Sequence, residues 1–213
     1  MGAMAGLALG DALGMPTQSM SAKQIRRYYD GPITKLMNAV PQQPIAPNMK
    51  AGAVTDDTEQ AFVLARRLID DNGCIDNTRY AHDLLQWEAA MKAKGSLDLL
   101  GPSTNSAAKL TEGVSLEETG RFGNHQRRCN ACHAGGHRIP SRPSARRRAW
   151  RSCVVTHNTV QGIEATTLVA AAVSFAIEGE RDFLHLAWNS YGSFHSVAIG
   201  RQRLRCLRVC NIS

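Results

Sequence analysis

The chain has 213 residues, of which 43% are hydrophobic, so it is long enough for one sizeable domain with a buried core. Its net charge of +7 is concentrated in two segments that contain no acidic residue: residues 121–152 have nine arginines and residues 183–213 have four. The rest of the chain is mildly acidic, so the overall charge does not by itself indicate nucleic acid or an anionic membrane as a partner.

The N-terminal part of the chain has no features of a leader or a membrane anchor. Asp11 interrupts the apolar run from Ala5 to Leu13, and no stretch approaches the roughly 18 uninterrupted apolar residues of a membrane span. Four of the six cysteines lie in the two basic segments, so the sequence does not indicate a disulfide framework. We therefore expect a cytoplasmic protein with no membrane partner.

Residue spacing predicts helices and one long loop, in chain order. Small and apolar residues three and four apart predict a helix over residues 1–14, which Pro16 ends. Residues 31–52 contain several prolines and little periodicity, so we predict a long loop there. Amphipathic helices are predicted over residues 57–71 and 77–94.

Two further helices complete the predicted architecture. A shorter helix is expected to begin at Ala107 after the Gly101-Pro102 break, and an alanine-rich helix is expected over residues 159–178. The apolar face predicted for the 57–71 helix consists of Ala61, Phe62, Ala65, Leu68 and Ile69. No segment shows the sustained alternation of a strand, so the predicted fold class is all-α.

The start of the 57–71 helix concentrates oxygen ligands. Thr55, Asp56 and Asp57 could supply three of the six oxygens that magnesium prefers. The alternative is a plain helix start, because acidic side chains such as Asp56 and Glu59 are favoured near the positive end of a helix dipole.

Four motifs occur in a characteristic order: GLALGDALGMPT at residues 6–17, VTDDT at 54–58, GPST at 101–104 and VTHN at 155–158. Their order and spacing resemble the ADP-ribosylglycohydrolase family. The resemblance implies an all-α multi-helix bundle, a two-magnesium site, and hydrolysis of the bond between ADP-ribose and its acceptor. ADP-ribose or an ADP-ribosylated protein is then the expected partner.

The resemblance also implies roles for individual residues. Thr55, Asp56 and Asp57 match the first metal-binding motif, and Asp57 is the expected catalytic residue. Gln18 stands where many members have a glutamate that reaches the active site, and His157 matches a Thr-His motif near the substrate cleft. Both are predicted to contact substrate, although a histidine at a helix start can equally be structural. Asp11 matches a helix-one aspartate whose role is structural or functional.

The chain also departs from the family pattern. No Asp-x-Asp-Thr motif, the family's second metal motif, follows Asp182, so the bundle is expected to be incomplete at its C-terminal end and the second magnesium to lack its ligands. We expect a hydrolase by ancestry with little or no activity. The alternatives are a non-catalytic ADP-ribose-binding module or a pseudogene-like product.

A change of reading frame would explain the first basic segment. One codon choice for residues 124–139, read one base later, encodes Thr-Thr-Asn-Gly-Ala-Ala-Met-Arg-Val-Thr-Pro-Val-Gly-Ile-Ala, which includes the Gly-Ala-Ala-Met-Arg type of stretch expected for the family. We infer a frameshift near residue 124, restored near Cys153, and a second one near residue 183. The predicted organisation is a partial domain over 1–182, interrupted by an aberrant, disordered segment at 121–152, and an aberrant tail over 183–213.

The same basic segment contains two other patterns. Cys129, Cys132 and His133 fit a c-type haem attachment motif, which requires an exported chain, and together with His137 they could bind zinc. The arginine run at 146–148 lacks interleaved aromatic residues, so we expect no specific nucleic-acid binding.

Overall fold

The computed structural model describes residues 2–95, 102–116, 118–120 and 151–191. This part of the chain is helical and contains no strand, which confirms the all-α prediction. The α-helices, in chain order, are α1 (Gly2–Gly14), α2 (Ala22–Tyr28), α3 (Asp56–Asp70), α4 (Asn77–Ala93), α5 (Pro102–Thr111), α6 (Val160–Ile177) and α7 (Phe183–Tyr191). A short 3-10 helix, Met15–Thr17, follows α1.

Side-chain caps fix where four of these helices begin. Thr55, Asp76 and Thr159 precede α3, α4 and α6, and each accepts a hydrogen bond from a backbone N–H in the first turn. Ser21 and Gln24 form a reciprocal capping box at the start of α2. These caps satisfy N–H groups that have no partner within the helix.

The main core lies between α3, α4, α5 and residues 153–155. Its buried members are Leu64, Tyr80, Ala81, Leu84, Trp87, Met91, Ala107, Cys153, Val154 and Val155. The residues immediately before His157 are therefore packed into the same core as α3, the helix that begins with Asp56 and Asp57.

A partly buried ion pair joins α3 to α4 at the far end of α3. The Nε and NH2 atoms of Arg67 lie 2.8 and 2.7 Å from Asp83 Oδ2, and its NH1 atom lies 3.4 Å from Asp71 Oδ1. The hydrogen bond to Asp83 raises the pKa of Arg67 above its ordinary value.

Four predicted helices are confirmed. Those expected over 1–14, 57–71, 77–94 and 159–178 correspond to α1, α3, α4 and α6, with ends that differ by one residue. The predicted loop at 31–52 contains no helix.

Three helices differ from the prediction. α5 begins at Pro102 rather than Ala107, because proline lacks only an N–H that would have no partner in the first turn. α2 was not predicted, although its Ser21 and Gln24 form a recognisable capping box. α7 was not predicted either, and it forms the first part of the segment interpreted as an aberrant tail. Residues 121–150 lie outside the described part, so the proposed domain boundaries stay predictions.

The predicted buried face of α3 is partly wrong. Phe62 and Ile69 are 50% and 77% exposed, whereas Leu64 is fully buried. The face is rotated because α3 has two neighbours: Leu64 packs into the α4 core, and Thr58 points toward α1.

The buried residues of α6 are small ones, namely Thr166, Thr167, Ala170, Ala171 and Ser174, whereas Ile177 is 50% exposed. α6 packs against α7. By length and composition α6 could also cross a membrane, but core helices of soluble proteins meet the same criterion, so this is weak evidence.

Candidate functional site

The first turn of α3 carries the acidic side chains predicted to bind metal. Thr55 caps this helix, and its Oγ1 accepts the N–H of Asp57 at 3.3 Å. Thr55 is buried and Asp56 and Asp57 are half-buried, and all three lie at the positive end of the helix dipole. Because Thr55, Asp56 and Asp57 are consecutive in sequence, their side-chain oxygen atoms lie at the same end of the helix.

Asp11 of α1 holds this helix start in place. Its Oδ2 accepts hydrogen bonds from Thr55 N (2.8 Å) and Thr58 Oγ1 (2.6 Å), and its Oδ1 accepts one from Thr55 Oγ1 (2.9 Å). Three donors therefore converge on one carboxylate and link two helices that are far apart in sequence. Asp11 thus has a structural role, and Thr58 is a member of the unit that the sequence did not single out.

These bonds determine what Thr55 can still offer. A hydroxyl has one donor hydrogen and two acceptor lone pairs. Its hydrogen goes to Asp11 and one lone pair takes the N–H of Asp57, which leaves one lone pair for a cation.

The chemistry of the donor set suits a hard cation. Thr55, Asp56 and Asp57 present hydroxyl and carboxylate oxygens, which are the ligands that magnesium prefers. The described residues contain no group of three or more His, Cys, Asp and Glu side chains arranged to hold a metal ion. The other ligands of a magnesium ion at this site would therefore be waters or substrate oxygens, or would come from outside those residues.

The remaining polar side chains of the first two turns of α3 have defined partners. Gln60 Nε2 donates to Asp56 Oδ2 at 3.2 Å. Glu59 Oε2 accepts the indole N–H of Trp87 at 2.6 Å, so this carboxylate binds α4. From the sequence, Glu59 is expected only to favour the helix dipole, because no local pattern reveals a partner on another helix.

Gln18 lies just after the 3-10 helix, on the connection from α1 to α2. Its side chain is exposed. Its backbone N–H donates to Met15 O at 3.2 Å, and its backbone carbonyl oxygen accepts a hydrogen bond from Gln43 Nε2 at 3.1 Å. An exposed carboxamide can bind a ligand but cannot act as an acid or base. Contact with substrate stays a prediction.

His157 lies in the turn before α6. It is 9% exposed, its Nδ1 lies 2.8 Å from Thr156 Oγ1, and its backbone N–H donates to Cys153 O at 2.6 Å. These local contacts are compatible with either a structural or a substrate-binding histidine, and the substrate role stays a prediction.

Two glycines allow the chain to close tightly around this turn. A Cβ at Gly120, whose φ is +70°, would lie 2.6 Å from Val154 O, and one at Gly162 would lie 2.9 Å from His157 O. Any larger residue would have to displace backbone. The conformation of the turn around His157 is therefore closely determined.

The zinc, haem and arginine patterns of the first basic segment lie outside the described residues. The alternatives that rest on Cys129, Cys132, His133 and His137 stay predictions.

Comparison with known proteins gives one family. A family model described as ADP-ribosylglycohydrolase matches residues 1–208. The chain is similar to an uncharacterized protein of Archaeoglobus fulgidus, with 30% identity over 177 residues, or 79% of this chain and 52% of that protein. It is also similar to the uncharacterized protein YegU of Escherichia coli K12, with 26% identity over 183 residues, or 84% of this chain and 54% of that protein.

The extent of these matches differs between the family model and the relatives. The chain spans about half the length of the curated relatives it matches. The family model, in contrast, matches nearly the whole chain and agrees with its all-α fold. The chain therefore belongs to the ADP-ribosylglycohydrolase family.

Proposed function

We propose that the start of α3 is a magnesium-dependent ADP-ribose site inherited from a hydrolase of ADP-ribosyl N- or O-glycosidic bonds, and that turnover in this chain is weak or absent. The observation that carries the proposal is the unit of Asp11, Thr55 and Thr58, which fixes the helix end bearing Asp56 and Asp57.

Each residue has a distinct task under this proposal. Asp11 orients Thr55, whose remaining lone pair would hold a cation together with the carboxylates of Asp56 and Asp57. Bound magnesium would supply a Lewis acid for the ribose hydroxyls and a water. Asp57 would hold the ion and, as the expected catalytic carboxylate, would assist proton transfer at the glycosidic bond.

The weak turnover that we propose rests on the residue at position 18. Gln18 has an amide, which cannot exchange a proton, where the family resemblance leads us to expect a carboxylate. This feature also favours the second candidate function, an ADP-ribose-binding module without catalysis.

Asp57→Asn tests the site directly. We expect this change to reduce magnesium-dependent ADP-ribose affinity at least about tenfold, since a neutral amide is a weaker ligand for a divalent cation than a carboxylate. Isothermal titration with ADP-ribose, with and without magnesium, measures the effect. Asp70→Asn is the matched control, because Asp70 lies exposed at the other end of the same helix.

The outcomes separate the candidate functions. Magnesium-dependent binding without release of ADP-ribose from an ADP-ribosylated protein supports the binding module, and slow release supports the impaired hydrolase. Rapid release contradicts the impairment. If wild-type protein and the two variants give the same titration, the proposed site is wrong.

A further inference from the structure

The loop between α2 and α3 folds back onto the turn that carries Gln18, and the buried side chain of Gln43 makes the connection. Gln43 is 3% exposed, and its Nε2 donates to the carbonyl oxygens of Met15 (3.3 Å) and Gln18 (3.1 Å). Its Oε1 accepts the N–H groups of Ile45, at 2.6 Å, and Ala46. A carboxamide has two donor hydrogens and two acceptor lone pairs, so Gln43 uses its full hydrogen-bonding capacity.

The four partners also fix the orientation of the carboxamide. Two carbonyl oxygens lie at its nitrogen end and two N–H groups lie at its oxygen end. A reversed amide would place donors against donors and acceptors against acceptors in a buried position, where unpaired polar groups are strongly unfavourable. Gln43 therefore joins its own loop to the Gln18 turn in one defined geometry.

Tyr29 makes a second connection to the same turn. It is 4% exposed, its hydroxyl donates to Pro16 O at 2.9 Å, and the same oxygen accepts the N–H of Val40 at 3.2 Å. The backbone carbonyl oxygens of residues 15, 16 and 18 thus all accept hydrogen bonds from Gln43 or Tyr29.

The turn held in this way is strained. Gln18 has φ −54° and ψ 131°, Ser19 has φ +61°, and Met20 N donates to Thr17 O at 3.1 Å, which describes a type II turn. The second central position of this turn favours glycine, but here it is serine. Such a conformation persists when the surroundings over-determine it, as the bonds from Gln43 and Tyr29 do.

We propose that Gln43 is a positioning residue for the candidate site: by holding the strained turn, it fixes the backbone position from which the exposed side chain of Gln18 reaches ADP-ribose. A side chain presented from a fixed backbone loses less conformational freedom when it binds a ligand. The proposal rests on the proposed function, because it takes ADP-ribose as the ligand.

Hydrogen exchange tests whether Gln43 holds the turn, independently of any ligand. The N–H groups of Gln18 and Met20 do not bond to Gln43, so their exchange reports on the turn itself. In Gln43→Leu we expect both amides to lose protection at least about tenfold. In Gln43→Glu the carboxylate still accepts from Ile45 and Ala46 but cannot donate, so those two amides should stay protected while the turn loses protection.

The control is Asn38→Ala. Asn38 is exposed, and its Oδ1 accepts only the N–H of Ala51, at 2.8 Å, on the same loop. Protection at Met20 should remain within about twofold of wild type there, and unchanged protection at Leu84 in α4 shows that each variant is folded. If Gln43→Leu releases only the amides of its own loop, the proposal is wrong.

Titration then tests the link to the site. We expect Gln43→Leu to weaken ADP-ribose binding about tenfold while magnesium affinity stays that of wild type, because the predicted metal ligands lie on α3. If wild type binds ADP-ribose and Gln43→Leu binds it with the same affinity, the positioning role is wrong. If wild type binds no ADP-ribose, the proposed function and the role toward ADP-ribose fail together, and exchange alone decides whether Gln43 holds the turn.

Discussion

At the scale of single residues, Asp11 explains how the candidate site is built. It is a charged residue in an otherwise apolar helix, and it accepts two hydroxyl hydrogens and one amide hydrogen at the start of α3. Hydrogen bonds to a charged acceptor are stronger than neutral ones, and a helix N-terminus favours a nearby negative charge. The same contacts fix α1 against α3 and orient Thr55.

Thr58→Val isolates one of these hydrogen bonds, since valine has nearly the shape of threonine. Thr58 is 1% exposed and donates to Asp11 Oδ2 at 2.6 Å. We expect the free energy of unfolding to fall by about 1.5–3 kcal/mol, the contribution of a hydrogen bond to a charged group. Urea denaturation measures it.

Two further variants make this measurement specific. Thr58→Ser keeps the hydroxyl and should lose only about 1 kcal/mol for the missing methyl group. Thr78→Val changes an exposed threonine in the first turn of α4 and should remain within about 0.5 kcal/mol of wild type. Equal stability of Thr58→Val and Thr78→Val would show that the bond to Asp11 does not stabilise the fold.

The sequence could predict which residues are chemically able to form the site, but not their partners. Thr55, Asp56 and Asp57 are adjacent, so their motif is local. The partners of Asp11 are 44 and 47 residues away in sequence, and Gln43 is the second of two adjacent glutamines in a proline-containing loop. No short-range pattern contains such contacts, because they depend on how the helices and the loop pack.

At the scale of elements, α3 shows where periodicity is insufficient. Apolar spacing correctly predicted the helix, but it placed Phe62 and Ile69 on the buried face, and the structure leaves both exposed. Residue spacing predicts a single apolar face, whereas α3 packs against two helices. It buries Thr58 toward α1 and Leu64 in the core with α4.

Leu64→Ala and Ile69→Ala test this rotation. Leu64 is fully buried in the core, so its truncation should lower the free energy of unfolding by about 2–5 kcal/mol. Ile69 is 77% exposed, so its truncation should change stability by about 0.5 kcal/mol or less. Thermal or urea unfolding of the two proteins measures the difference, and a larger loss for Ile69→Ala would contradict the packing of α3.

At the scale of the whole molecule, the long periodic helices and the all-α class were predictable, because each carries its own apolar repeat. The seven-residue α2 is too short for such a repeat and depends on its cap at Ser21. α7, which begins at Phe183, is not indicated by the composition of residues 183–213 as a whole, because that composition is dominated by arginines after the helix ends. The assignment of helices to a family fold came from ordered motifs rather than from periodicity.

The uneven charge of the chain leads to the last prediction. Nine arginines without a single acid in residues 121–152 contrast with a mildly acidic remainder, and arginine, histidine and cysteine are frequent when GC-rich codons are read out of phase. We expect resequencing of the coding DNA from about codon 120 to 155, and past the codon for Ser213, to reveal single-base shifts and an Asp-x-Asp-Thr motif in another frame.

Either result changes how the chain should be interpreted. A corrected frame would replace Cys129, Cys132 and His133 with the family segment, and it would supply the carboxylates that a second magnesium requires. Full-length corrected protein should then hydrolyse ADP-ribosyl bonds faster than the present chain. A clean frame would contradict the frameshift, and measurement of bound zinc would then decide whether the cysteine and histidine side chains form a metal site.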